Sequence, residues 1–216
     1  MLNAPTAART TKVILFLQRE AGMTEKHALF PLKSILLPGC VMDLQIFEPR
    51  YLDMLSRCFK RGESFLIVAL ESGPESGFGD LRFNALGCEA HIADWQQRDN
   101  GLLGIRVEGR RRGRISGAEV AADGLVTGEV DWLLEHHDSP QLEEHSDLSV
   151  LHQALMEHPL AEGLGLPEVA ASQQRLSYQL AFLLPFSLDQ KVALLNIDNH
   201  QARLRQISDW LEVMQA

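Results

Sequence analysis

The hydrophobic pattern of this chain changes its period once, after Trp132, and the change separates a β-rich part from a helical part. Before it, short apolar runs such as SFLIVAL (64–70) and LVTGEVDWL (125–133) are typical of buried strands. Glycine-containing turn signals, DNG at 99–101 and ADG at 122–124, separate the runs. Many short strands with regular turns predict a closed or nearly closed barrel.

Two further segments complete the predicted β-rich part. ALGCEAHIADW (85–95) has small and apolar residues at strand-like intervals. LLGIRVEGRRRGRISGAEV, between the two turn signals, is predicted to form two strands joined near Glu108 and Gly109. Glycine at such a position is typical of a turn.

The helical part is marked by its apolar spacing and its capping residues. QLEEHSDLSVLHQALMEH (141–158) carries leucines at helical spacing, and Pro167 is predicted to be the first residue of the next helix. Ser187 followed by Gln190 forms a capping-box pattern, and Asp198 is predicted to cap the last helix. We therefore predict an α+β fold in which a barrel precedes a helical bundle.

These patterns divide the chain into three segments. Residues 1–27 are predicted to be an N-terminal extension, residues 28–133 the β-rich part, and residues 134–216 the helical part. VILFL is too short for a signal peptide and no small-residue cleavage site follows it, which favours a cytoplasmic protein. The start of the natural chain is open between Met1 and Met23.

The cysteines and the hydropathy indicate a cytoplasmic protein. Cys40, Cys58 and Cys88 form an odd, dispersed set without a CxxC motif, which favours a reducing compartment over disulfides or a zinc cluster. No apolar run approaches the roughly 18–20 residues needed to span a bilayer. We therefore expect no membrane partner.

Charge is distributed unevenly and bears on nucleic-acid binding. The net charge is −9, and residues 115–174 hold 12 acidic residues without a lysine or arginine, a block that would repel nucleic acid. The basic cluster Arg110, Arg111, Arg112 and Arg114 is the contact expected in an alternative, RNA-binding function. Arginines alternating along a strand divide between its two faces, and no aromatic residue is interleaved to stack on bases. Pairing with the acidic block is the favoured role.

Searches for catalytic motifs find no phosphate-binding loop, dinucleotide-binding glycine motif, serine nucleophile elbow or HExxH motif. A histidine-rich segment is the remaining candidate for a metal site. Its members are His136, His137, His145, His152 and His158, among Glu143, Glu144 and Asp147. Because their spacing fits no familiar ligand motif, we predict a solvated acidic loop without metal.

The segment LQIFEPRYLDM (44–54) interrupts an apolar run with Glu48, Pro49 and Arg50. Residues two apart on a helix point in different directions, so Glu48 and Arg50 are not expected to pair within one helix. If Pro49 is the first helical residue, Glu48 lies at the amino end and can cap the exposed N–H groups. We interpret the segment as a strand-to-helix joint.

Three blocks of the sequence resemble one known family. LFPLKSILLPGCVMDLQIFEPRYLDML (29–55) is similar to the opening of the Lon protease N-terminal domain, which has an LFPL-type strand, an LPG turn and an IFEPRY segment entering a helix. LGCEAHI with DGLLGIRVEGRRRGRI resembles the family's next strand and hairpin, and LAFLLPFSLDQKVALLNIDNHQARLRQI resembles its C-terminal helices. Cys88, Gly113 and Asn196 depart from the family pattern. The resemblance covers about residues 28–214.

The resemblance implies a PUA-like β-barrel followed by helices and a non-catalytic, polypeptide-binding role. Since no ATPase or peptidase segment accompanies these blocks, it implies a stand-alone Lon-domain protein, an adaptor or holdase for unfolded or hydrophobic segments. A Lon-type protease is an expected partner, and no cofactor or metal is expected. Phe47, Arg50 and Tyr51 are the residues predicted to border a peptide-binding groove.

Overall fold

The computed structural model describes residues 25–75, 80–140, 145–169 and 172–215, and the question of the natural start lies outside them. These residues form six strands and six helices. The strands are β1 (Glu25–Leu32), β2 (Val41–Ile46), β3 (Phe65–Ser72), β4 (Arg82–Gln97), β5 (Leu103–Val120) and β6 (Val126–Trp132). The helices are α1 (Pro49–Arg61), α2 (Ser146–Met156), α3 (Pro159–Glu162), α4 (Gln173–Leu183), α5 (Leu188–Asn196) and α6 (His200–Gln215).

The strands form one sheet that closes on itself. Their order is β2-β5-β4-β3-β1-β6, and β5 pairs with β6 as well, so five strands complete a ring to which β2 is added. The β1–β3 pair is parallel, whereas the others are antiparallel. A barrel followed by helices is thus confirmed. Because β1 begins at Glu25, residues 25–27 of the predicted extension belong to the barrel.

The predicted hairpin between the two turn signals is instead one strand, β5, of 18 residues. Gly109 lies within it, because the strand passes very close to the β1–β2 loop there. A Cβ on Gly109 would lie 2.2 Å from the Leu37 carbonyl oxygen. The Gly109 N–H donates to the Cys40 carbonyl at 2.8 Å. Glycine marks a close approach of two backbones here, and not a turn.

A β-bulge follows Gly109 and sets the direction of the arginines. Ala90 of β4 pairs with Gly109, and Cys88 pairs with Arg112, so that Glu89 alone opposes two β5 residues. An extra residue in one strand interrupts the alternation of faces. The two residues inside the bulge, Arg110 and Arg111, are therefore both exposed, while Arg112 is buried.

Three apolar cores hold the molecule together. One fills the ring of strands, with Leu29, Leu66 and Val130 among its members. A second lies between the sheet and α1, and a third joins the helices to the β1–β2 loop. The bundle therefore packs directly against the barrel. Among the residues the structure describes, no helix is long and apolar enough to cross a membrane.

The helix starts differ from the sequence prediction at two places. The helix α4 begins six residues after Pro167, because the Ser172 hydroxyl accepts from the Arg175 N–H at 2.9 Å and caps it there. The cap of α6 is Asn199, whose side-chain oxygen accepts from the Ala202 N–H at 3.0 Å. The predicted capping box that opens α5 is confirmed.

Candidate functional site

The start of α1 is the joint predicted from the sequence, but its electrostatics differ. Pro49 is in the first turn, and Glu48 is an N-cap with extended backbone (φ −82°, ψ 132°) and no side-chain capping bond. Its carboxylate lies 2.8 Å from the Arg50 guanidinium. The two side chains pair because Glu48 precedes the helix, whereas the prediction against pairing placed both within it.

Two of the three residues predicted to border a peptide groove are buried. Arg50 is 6% exposed, donates to the Gly124 carbonyl at 2.9 Å, and stacks on Tyr51 at 4.8 Å from the ring centroid. Tyr51 packs against Phe30 with ring centroids 4.1 Å apart. Arg50 thus connects the start of α1 to the β5–β6 turn through a hydrogen bond. Neither Arg50 nor Tyr51 lies at the surface. Phe47 is 56% exposed.

Exposed apolar side chains lie along α1 and the adjacent end of β4. We name Phe47, Leu52, Phe59 and Trp95 the α1 patch. Leu52 and Phe59, seven residues apart, lie on one face of the helix. The Phe59 ring centroid is 6.0 Å from that of Trp95, which is 60% exposed. Large exposed aromatic residues in contact with each other mark a surface suited to binding another apolar group.

A free strand edge lies beside this patch. The pairing of β4 with β3 ends where Ala90 pairs with Phe65, so within the described strands residues 91–97 pair with β5 alone. This edge carries a bulge between Ile92 and Asp94, and the Asp94 carboxylate accepts from the Trp95 N–H at 2.8 Å. Bulges and charged side chains are the usual protection of an edge strand against uncontrolled pairing.

The arginine cluster predicted as a nucleic-acid contact is divided by the bulge. Arg110 pairs with Glu108 at 3.0 Å, and Arg111 pairs with Glu89 at 2.9 Å while stacking on Trp132. Arg114 is also exposed, but Arg112 is fully buried. Arg112 is therefore not available to a nucleic acid, because the bulge at Arg110 and Arg111 shifts the alternation of faces and Arg112 points toward the helical bundle.

Arg112 joins the barrel to the bundle through a buried polar cluster. Its guanidinium contacts Glu135 at 2.6 Å, Asp198 at 3.0 Å and the Leu195 carbonyl at 2.8 Å. The Tyr178 hydroxyl donates to the same Glu135 carboxylate at 3.0 Å. Glu135 belongs to the acidic block, so the expected pairing of an arginine of the cluster with that block occurs at Arg112.

A second buried arginine, Arg203 of α6, extends the cluster and was not predicted from the sequence. It stacks on the Tyr178 ring at 3.8 Å and donates to the Tyr178 hydroxyl at 3.0 Å and to the Ser177 hydroxyl at 2.8 Å. Burial lowers the pKa of Arg203 and raises that of Tyr178. The packing of α4 against α6 brings Arg203 and Tyr178 together, and no local sequence pattern indicates this contact.

The sequence matches the model of one protein family over most of its length. The model for the ATP-dependent protease La (LON) substrate-binding domain matches residues 26–213. The chain belongs to this family. No curated protein matches the chain.

Two solved structures are similar to this Lon domain. The Lon N-terminal domain protein from Xanthomonas campestris is 32% identical with a TM-score of 0.72, covering 86% of this chain and 98% of that one. The N-terminal domain of Mycobacterium avium complex Lon protease is 17% identical with a TM-score of 0.60, covering 86% of this chain and 97% of that one. At that identity the second comparison shows the fold alone.

The histidine-rich segment of the Lon domain does not form one solvated loop. His136 and His137 are exposed, whereas His145 and His152 are buried. His152 lies 2.7 Å from the Gln179 side-chain oxygen, to which its ring N–H donates. Residues 141–144 lie outside the described part of the chain, and among the described residues no group of three potential ligands could hold a metal ion.

The buried His152 makes the stability of the Lon domain depend on pH. Burial lowers its pKa below the usual value of 6.5, although Gln179 opposes the shift. Because the unfolded chain then binds the proton more tightly, the stabilisation is complete above about pH 6.5 and is lost as pH falls through the lowered pKa. Urea unfolding at pH 7.5 and pH 5.5 measures this loss.

The variant His152→Gln, which retains a donor toward Gln179, is expected to lose less stability between the two pH values. Some dependence of stability on pH remains in this variant, because burial also lowers the pKa of His200. His91→Gln is the matched control, since His91 is exposed on β4 and its replacement should leave the dependence of stability on pH unchanged. An equal loss in His152→Gln and in the unaltered protein would contradict this assignment.

Proposed function

We propose that this Lon domain binds extended, apolar segments of unfolded polypeptides and performs no reaction on them. The observation that carries the proposal is the contact of Phe59 with Trp95 beside the free edge of β4. Aromatic side chains can bury the apolar side chains of a segment, while the strand edge offers hydrogen bonds to its backbone. Membership of a family described as a substrate-binding domain supports this role.

The dimensions of the α1 patch suit a short extended segment. Leu52 and Phe59 are separated by seven residues of helix, which corresponds to about 10 Å along the helix axis. An extended polypeptide covers that length with about three residues. Phe47, at the amino end of α1 and 56% exposed, would extend the contact. An affinity on the order of micromolar, about −8 kcal/mol, is appropriate to such a surface.

This binding would serve an adaptor or holdase. An adaptor presents unfolded segments to a partner, here a Lon-type protease, whereas a holdase keeps them from aggregating. Both roles require weak, sequence-tolerant binding, which a backbone-reading strand edge and an apolar patch provide.

The test is a fluorescence anisotropy titration with labelled ten-residue peptides. One peptide carries four large apolar residues, and a control of equal length and net charge carries serine in their place. We expect the apolar peptide to bind with a Kd of about 1 μM and the serine peptide to show no binding at about 10 μM. Equal binding of the two peptides, or binding of neither, would refute the proposal.

A further inference from the structure

A groove opens on the other side of the C-terminal end of α1. Its volume is about 760 Å³, and it lies between that helix end, the start of β1 and the bulge of β5. Ala28, Met54 and Cys58 contribute its apolar lining. Burial raises the pKa of Cys58 to about 11, so that its thiol stays protonated and adds to the apolar surface. The volume is sufficient for a few residues of a polypeptide.

Cationic side chains outnumber acidic side chains in the lining of the groove. Three are cationic and two are acidic: Lys26, Arg57, Arg111, Glu63 and Glu89. Two of the three cations form ion pairs within the protein. Lys26 pairs with Glu119 at 2.5 Å, and Arg111 pairs with Glu89 at 2.9 Å.

Arg57 is the exception in this groove. It is half-buried, and within the described residues it has no hydrogen-bond or ion-pair partner. An arginine held against an apolar surface without a carboxylate presents its planar, forked set of donors to a ligand.

The groove and the α1 patch are adjacent. Arg57 and Phe59 are two residues apart on α1, so their side chains leave the helix on different sides of the same turn. A segment lying on the patch reaches the groove by crossing the end of the helix, whose diameter of about 10–12 Å corresponds to about three or four extended residues. One polypeptide can therefore occupy both.

We propose that this groove binds a carboxylate of the polypeptide held on the α1 patch, with Arg57 as its principal contact. The carboxylate is either an acidic side chain or the C-terminal group, which share this chemistry. The two acidic residues and the apolar side chains in the lining favour one carboxylate on a polypeptide over the successive phosphates of a nucleic acid. The inference rests on the proposed function, because the ligand is the same polypeptide.

The test uses four labelled peptides that share one apolar core. One ends in a free carboxylate, one has an amidated C-terminus, one is amidated with a glutamate three residues after the core, and one has glutamine in its place. We expect a carboxylate peptide to bind about tenfold more tightly than its neutral counterpart. The pair that shows the gain identifies the source of the carboxylate.

Arg57→Gln is expected to remove this gain and to leave the affinity for the neutral peptides unchanged. Lys60→Gln removes a charge from the same end of α1 at an exposed position and is the matched control, with less than a twofold effect expected. The four-peptide comparison on the unaltered protein remains decisive if Arg57→Gln fails to fold.

The outcomes separate this inference from the proposed function. If neutral peptides bind and neither carboxylate adds affinity, this inference is overturned while the proposed function stands. If no peptide binds, both fail. Binding of single-stranded RNA that Arg57→Gln abolishes, with no gain from a carboxylate peptide, would also overturn it in favour of an anionic nucleic-acid ligand.

Discussion

Replacing Arg112 by methionine is expected to lower the free energy of unfolding by about 3–5 kcal/mol. The substitution removes a fully buried guanidinium that contacts Glu135, Asp198 and the Leu195 carbonyl. It therefore leaves polar groups at the barrel–bundle interface without their partner, which costs their desolvation energy. Since a domain has a total stability of about 5–15 kcal/mol, urea unfolding should detect the loss readily.

Two further variants make this prediction specific. Arg114→Met changes an exposed arginine two residues away and should alter stability by no more than about 0.5 kcal/mol. The double variant Arg112→Met with Glu135→Leu should recover part of the loss, because the carboxylate is then no longer left without its cation. A loss below about 1 kcal/mol for Arg112→Met alone would contradict the role assigned to this cluster.

Replacing Trp95 by serine is expected to weaken the binding of apolar peptides at least tenfold without unfolding the protein. Its side chain is 60% exposed and contacts Phe59 of the α1 patch, and an aromatic anchor contributes about 2 kcal/mol or more to binding when it lies at the centre of a contact. Anisotropy titration with the apolar peptide measures the affinity, and urea unfolding verifies that stability is retained.

Leu134→Ser is the matched control for this substitution. Leu134 is 90% exposed and lies in the segment that follows β6, outside the α1 patch. Its replacement removes a comparable exposed apolar side chain and should change peptide affinity by less than twofold. If Trp95→Ser and Leu134→Ser weaken binding equally, the effect reflects general surface hydrophobicity and the α1 patch is not the site.

The barrel followed by helices was predictable because local signals determine it. Alternating and continuous apolar runs located β3 and β6, and glycines at 101 and 124 adopt the positive φ that their turn signals require. The bulge in β5 was not predictable. Gly109 reads as a turn in the sequence, and only the approach of the β1–β2 loop explains why glycine is required inside a strand.

The candidate site was less predictable than the fold, because exposure depends on tertiary packing. The IFEPRY segment indicated the family correctly, yet Arg50 and Tyr51 are buried by Phe30 and by the β5–β6 turn. The sequence pattern predicts only that Trp95 lies in a strand, and its exposure follows from β3 pairing with β4 no further than Ala90. Neither fact is encoded in a local pattern.

Amide hydrogen exchange with and without saturating apolar peptide tests the central claim most directly, because it locates the bound segment. If the segment lies on the α1 patch and the neighbouring edge, exchange should slow at residues 91–97 of β4 and at the C-terminal turn of α1, and should be unchanged in α2. Protection confined to the helical bundle, or none at residues 91–97 while the peptide is bound, would contradict the proposed site.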